Sequence, residues 1–185
     1  MTSLLISAPP TETERPLLPW TVLHARPRQE KRLAADLAAA GIEAELITVR
    51  RERVYGHRRR IVDLPLFPSF LFARVGDEER EIVLGTGRLV DIIRVRDQAR
   101  LEEDLNQIRR ALAAGAVPEP SPYIRTGVRA RVRRGPLEGV VGVADRRLAP
   151  NRLILGVDVL GRAVCVQIPD DLLEPLHSAA DRRAA

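Results

Sequence analysis

Six arginines stand at positions 50, 51, 53, 58, 59 and 60, on either side of Tyr55-Gly56. With Glu52 and Asp63 they give residues 50–63 a net charge of +4. If the flanking segments pair as a hairpin, these charges gather at one projecting tip. They then form either a solvated charged face or a phosphate-contacting surface for DNA or RNA, which adds affinity without reading sequence. A second group, Arg26, Arg28, Gln29 and Arg32, falls at the start of an expected helix. Free backbone N–H groups there favour anions. Gln is suited to a base edge and Arg to stacking on an unpaired base, the alternative being exposed helix residues with no role. The third group is aromatic. Trp20, Phe67, Phe70 and Phe72 are four of only six aromatic residues in 185. An exposed cluster of this kind marks a partner site, whereas a buried one is core.

Catalytic chemistry finds no support. There is no nucleophile elbow, P-loop or dinucleotide fingerprint, and Asp170-Asp171 and Glu102-Glu103-Asp104 read as helix-start residues. A single cysteine, Cys165, in an apolar alternating run excludes a disulfide framework and a Cys-rich zinc site. No cofactor or metal is expected, and the chain reads as non-enzymatic. No apolar run is long enough to span a bilayer, and Met1–Pro19 lacks the basic start of a signal peptide. These features lead us to expect a cytoplasmic protein that does not engage membranes. The net charge of +5 is a weak nucleic-acid signal by itself, and the dominance of Arg (Lys31 is the only lysine) also fits genome composition.

The elements that must position these groups follow from periodicity. Residues 20–25 read as a strand and 29–40 as a helix stopped by Gly41. Strands over 42–54 and 58–64 form the hairpin, and 69–75 is a further strand whose alternation puts Phe70 and Phe72 on one face. A short helix over 77–84, a strand over 89–95 and a helix carrying Leu101, Leu105, Ile108 and Leu112 complete the first domain. Helices 29–40 and 101–113 are expected to cover one face of a four-stranded antiparallel sheet. The other face is expected to be left to Phe70 and Phe72, with Trp20.

Residues 115–126 carry Gly115, Pro118, Pro120 and Pro122 and read as a linker. Beyond it, short strands at 128–134, 140–145, 152–159 and 162–168 suggest a small five-stranded β-barrel. Arg129, Arg131 and Arg133 alternate along the first of these. They are expected either to guard an edge strand or to bind an acidic partner or ribosomal RNA. The fold class is therefore α+β: a disordered tail over 1–19, a first domain over 20–114, the linker, a barrel over 127–176 and a tail over 177–185.

Residues 20–30, with Pro65-Leu66-Phe67-Pro68-Ser69-Phe70-Leu71-Phe72, resemble the N-terminal domain of the NusG family of transcription elongation factors. The segment from Val132 to Val143, with Gly135, Pro136 and Gly142, resembles the KOW motif that follows it in that family, an SH3-like barrel. Pro-Leu-Phe-Pro is closer to specialised paralogues such as RfaH than to the housekeeping factor. The resemblance implies a monomeric factor that rides on elongating RNA polymerase. It would dock on the beta-prime clamp helices, bridge to the beta subunit and suppress pausing or termination at a subset of operons. Trp20, Phe67, Phe70 and Phe72 would carry the polymerase contact. Arg26, Arg28, Gln29, Arg32, Arg58, Arg59 and Arg60 would meet nucleic acid, including the non-template DNA strand. The KOW domain would recruit Rho or the ribosome. The alternative is an RNA- or ribosome-binding KOW protein. Three features depart from the family pattern: Ser69-Phe70 replaces the usual Gly-Tyr, the stretch matching the beta-subunit contact, 79–83, is charged here, and Leu137 stands where the KOW motif has an aromatic.

Overall fold

A computed structural model describes residues 18–55, 58–121, 127–144 and 152–176. Both expected tails, the end of the linker (122–126) and the Tyr55-Gly56 turn lie wholly or partly outside these residues. The contacts divide the chain into two units, 1–98 and 99–185.

The first unit is built on an antiparallel sheet of order β2-β5-β1-β6, formed by Ala44–Glu45, Phe70–Arg74, Trp20–Ala25 and Leu89–Arg94. Residues opposite each other across these strands share a face. One face therefore carries Leu23, Ala25, Leu71, Ala73 and Ala44. It packs on Leu33, Ala34 and Leu37 of α1 (Glu30–Ala39) and on Val83 of α2 (Asp77–Gly85). Gly41 ends α1 with φ 72°, the left-handed stop expected of it. Glu79 at the start of α2 accepts a 3.0 Å hydrogen bond from the Gly76 N–H, and three acids in its first turn suit the helix dipole.

The second helix of this layer is thus α2. The helix α3 (Gln98–Ala113), expected to flank the same face, contributes nothing to that cluster, and from Ala99 onward it belongs to the second unit.

Among the described residues, strands β3 (Thr48–Tyr55) and β4 (Arg58–Pro65) pair only with each other, as a two-stranded ribbon apart from the main sheet's ladder. The hairpin expected from the sequence is present, but its first strand is shorter than the expected 42–54: that stretch divides into β2, which joins the main sheet, and β3, which pairs with β4.

In the second unit, six strands form one antiparallel sheet of order β12-β8-β9-β10-β11-β7. In chain order these are β7 (Glu119–Ser121), β8 (Val128–Val132), β9 (Val141–Ala144), β10 (Arg152–Val157), β11 (Arg162–Gln167) and β12 (Leu173–Pro175). Among the described residues β7 and β12 do not pair, so the ladder does not close on itself. The sixth strand comes from the proline segment, where Glu119–Ser121 adds to the edge of β11. Proline is tolerated there because an edge strand has one side that need not donate. Leu153, Ile154 and Leu155 are buried in succession, as are Ala163 to Val166, so both faces of β10 and β11 are shielded.

Helix α3 supplies polar partners to this sheet. Gln107 Oε1 accepts the Val141 N–H at 2.7 Å, and Asp104 Oδ2 accepts the Asp158 N–H at 3.0 Å. Burial pushes the Asp104 carboxyl above the ordinary aspartate range, opposed by that hydrogen bond and by Arg100 at 3.2 Å.

Candidate functional site

The aromatic face of the first unit is the one opposite α1. Register places Trp20, Val22 and His24 of β1 beside Arg74, Phe72 and Phe70 of β5, with Ile93 of β6 and Glu45 of β2. The expected exposed patch is absent. Phe72 is 1% exposed, and Phe67 and Trp20 are also buried. Phe72 lies on an interior strand, opposite Val22 on one side and Glu45 on the other, and both of these are buried too.

Trp20 has structural work on every side. Its backbone N–H donates to Gln98 Oε1 at 2.7 Å, and its backbone carbonyl accepts from Gln98 Nε2 at 2.8 Å. The Arg74 guanidinium sits 4.4 Å from its ring centroid, a cation–π contact. Arg74 is held in turn by the Leu18 carbonyl at 2.7 Å and by Glu43 at 3.2 Å.

Of the four aromatics, Phe70 alone is half-buried. It stacks on His24, with ring centroids 4.8 Å apart and planes 19° from parallel. His24 was missed in the sequence, although its alternation with Trp20 and Val22 could have found it. Directly before the strand, Ser69 adopts φ 69°, a left-handed conformation costly to any residue but glycine. Two bonds hold it: the Ser69 carbonyl accepts from the Ala25 N–H at 2.8 Å, and its N–H donates to Glu30 Oε1 at 2.8 Å. Glu30, buried at the start of α1, is therefore a second residue that sequence reasoning did not single out.

At the start of α1, Arg26, Arg28 and Arg32 are exposed as expected, and Arg28 also takes a left-handed φ of 64°. Gln29 differs. Its Oε1 accepts from Arg88 Nη1 at 2.8 Å, and Arg88 Nε pairs with Asp36 Oδ2 at 2.6 Å. Bidentate reading of a base edge needs both the oxygen and the nitrogen of the amide. With the oxygen committed to Arg88, Gln29 is first of all part of the clasp joining α1 to the loop after α2. Arg88 and Asp36 carried no sequence signal, since each is one charge among many.

On the ribbon, Arg58, Arg59 and Arg60 are all exposed. Arg59 is partnered: its Nη1 lies 3.4 Å from Glu52 Oε1.

In the second unit, Gly135 adopts φ 96° at the turn where its carbonyl accepts the Glu138 N–H at 3.0 Å. Pro136, next to it, is exposed. Gly142 answers a different need. A β-carbon there would stand 2.5 Å from the Ile154 carbonyl oxygen and 2.8 Å from Leu153 Cγ. Arg129, Arg131 and Arg133 are exposed while Ala130 and Val132 are buried, the alternation expected. The strand is not an edge, because β8 is paired on both sides, with β9 and β12. Guarding an edge therefore does not account for this arginine row. No described helix is long and apolar enough to cross a membrane.

A protein-family model described as "Transcription termination factor nusG" matches residues 18–110, from the strand before α1 into α3. No curated protein matches the chain. One solved structure, "Domain interaction in Thermotoga maritima NusG", is 18% identical, covers 86% of this chain and 97% of its own, and superposes with a TM-score of 0.42. The family match spans half of the chain, including all of the main sheet, both helices packed on it and the ribbon, and on that ground the chain belongs to the NusG family of transcription factors.

Proposed function

We propose that this chain is a transcription elongation factor of the specialised, RfaH-like kind. It binds the beta-prime clamp helices of RNA polymerase, reaches the beta subunit and suppresses pausing or termination at a subset of operons. The observation that carries this reading is the family match across 18–110. The protein acts without catalysis, in the cytoplasm and as a monomer. Of the aromatic face, the half-buried Phe70–His24 stack is the part positioned to meet a partner, with Ile93 partly exposed on the same face. Exposed Arg26, Arg28 and Arg32, together with the ribbon, supply phosphate contacts, the non-template strand among them. The second unit, read as an SH3-like KOW domain over 127–176, recruits Rho or the ribosome.

The test is binding of the full-length chain to an isolated clamp-helix hairpin of the polymerase. We expect saturable binding that Phe70→Ala weakens about tenfold or more, the scale of about 1.4 kcal/mol at an aromatic anchor. Binding unaffected by Phe70→Ala would remove Phe70 from the interface, and no binding at all would overturn the clamp-helix reading. One observation favours a second reading. The exposed arginine row on the doubly paired strand β8 suits ribosomal RNA or an acidic protein. Co-sedimentation with ribosomes, without polymerase binding, would select the ribosome-binding alternative.

A further inference from the structure

Phe70 enters its strand through a tight turn. Its backbone N–H donates to the Phe67 carbonyl at 3.1 Å, and between the two stand Pro68 and Ser69, the latter at φ 69°. Proline at the second position and a positive φ at the third are the marks of a type II turn, whose third residue is usually Gly or Asn. A serine side chain crowds the backbone in that region. Turning the Pro68–Ser69 peptide over gives the type I form of the same turn, with φ of about −90° at the third position, which suits serine.

Glu30 opposes that flip. The N–H of the Pro68–Ser69 peptide is the one that donates to Glu30 Oε1 at 2.8 Å, and Glu30 is buried in the first turn of α1. In a planar trans peptide the N–H and C=O point in opposite directions. A flip would therefore replace the donated hydrogen bond by the Pro68 carbonyl oxygen facing a buried carboxylate. Hydrogen bonds to charged groups are strong, and a buried acceptor left without its donor is costly. The Ser69 carbonyl accepts from the Ala25 N–H at 2.8 Å, so the turn is tied to β1 and to α1 at once. The next residue is Phe70, whose ring stacks on His24 of β1.

We propose that Glu30 is a positioning residue for the partner contact. Its carboxylate holds the Phe67–Phe70 turn in the type II form that serine disfavours, and through that turn fixes Phe70 on His24. The inference rests on the reading of Phe70 as a clamp-helix contact and adds the residue that presents it. Glu30, being buried, meets no partner itself.

The experiment uses the full-length chain and two readouts. One is the proton NMR line of the His24 ring, which the nearly parallel Phe70 ring shields. His57 and His177 are the other two histidines, so an H57Q/H177Q background leaves the His24 line alone in its region. The other readout is binding to the isolated clamp-helix hairpin. E30A should move the His24 line most of the way to its position in Phe70→Ala. With the native turn then populated about a fifth of the time, binding should weaken about fivefold. E30Q keeps an acceptor oxygen and should bind within about twofold of the unsubstituted chain. S69G supplies a residue at ease with positive φ, so E30A/S69G should restore both the line and the affinity. In a Phe70→Ala background, E30A should weaken binding no further, because the two residues act as one.

A loss in E30A that S69G does not restore, or that adds in full to Phe70→Ala, would mean that the carboxylate only supports the fold, and would overturn the proposal. An unmoved His24 line in E30A would overturn it as well. That line is read with no polymerase present. It decides the positioning role even where the hairpin fails to bind the unsubstituted chain, and an unmoved line beside normal binding removes the role while leaving the clamp-helix reading standing.

Discussion

Phe72→Ala is expected to lower folding stability by about 3–5 kcal/mol, the scale of truncating a fully buried phenylalanine. Phe72 is 1% exposed, and its cross-strand neighbours Val22 and Glu45 are buried beside it. Removing the ring leaves a cavity at an interior strand, where the backbone is fixed by pairing on both sides and cannot collapse inward. A domain's total stability is only about 5–15 kcal/mol, so much of the variant would unfold under mild denaturant. Equilibrium urea unfolding of the full chain measures this. Phe70→Ala, at a half-buried position, should shift the midpoint much less. Phe72→Ala with native stability would show that the ring is exposed, and would restore it to the surface patch that the sequence suggested.

Gly142→Ala should destabilise the second unit by about 1–3 kcal/mol, and Gly142→Val by more, through overpacking. The added carbon meets the Ile154 carbonyl oxygen at 2.5 Å and lies within 2.9 Å of Leu155 Cδ2. Ile154 is backbone-paired with Val143, the residue next to Gly142, so relief requires β9 to separate from β10. Gly135→Ala is the informative contrast. No atom lies within 4 Å of its would-be β-carbon, and its difficulty is the φ of 96° alone. Amide hydrogen exchange over 141–157 should quicken in the Gly142 variants and stay near native in Gly135→Ala. Unchanged exchange in Gly142→Val would show that the two strands tolerate a wider separation.

These two glycines show what the sequence could reveal. Both were visible as a KOW-like motif, but the two reasons for them, a left-handed turn and a close strand approach, needed coordinates. Strand β1 and the helices were legible because periodicity is local: Trp20–Ala25 matches the expected strand, and α1, α2 and α3 fall within a few residues of expectation. What each apolar stripe packs against is not local. Leu101, Leu105 and Ile108 announced a buried face on α3, but nothing local in them foretold that Gln107 and Asp104 accept hydrogen bonds from the backbone N–H groups of Val141 and Asp158. Alternation likewise put Phe70 and Phe72 on one face without saying how much of that face solvent reaches. Proline content marked 115–126 as a linker and hid the edge strand at Glu119–Ser121, since an edge is where a sheet accepts proline. On the ribbon, the sequence gathered six arginines into one group. The one-residue alternation that separates Arg59 from Arg58 and Arg60 emerges only once Glu52 is known to face Ile61 and Asp63 to face Arg50.

The central claim is that this NusG-family chain acts on transcribing polymerase. The most direct measurement is the lifetime of a defined pause in reconstituted elongation complexes, with and without the full-length protein. The account predicts a shorter pause and greater readthrough, an effect lost when clamp-helix peptide is added in excess as competitor. An unchanged pause lifetime at protein concentrations that saturate the complex would contradict it.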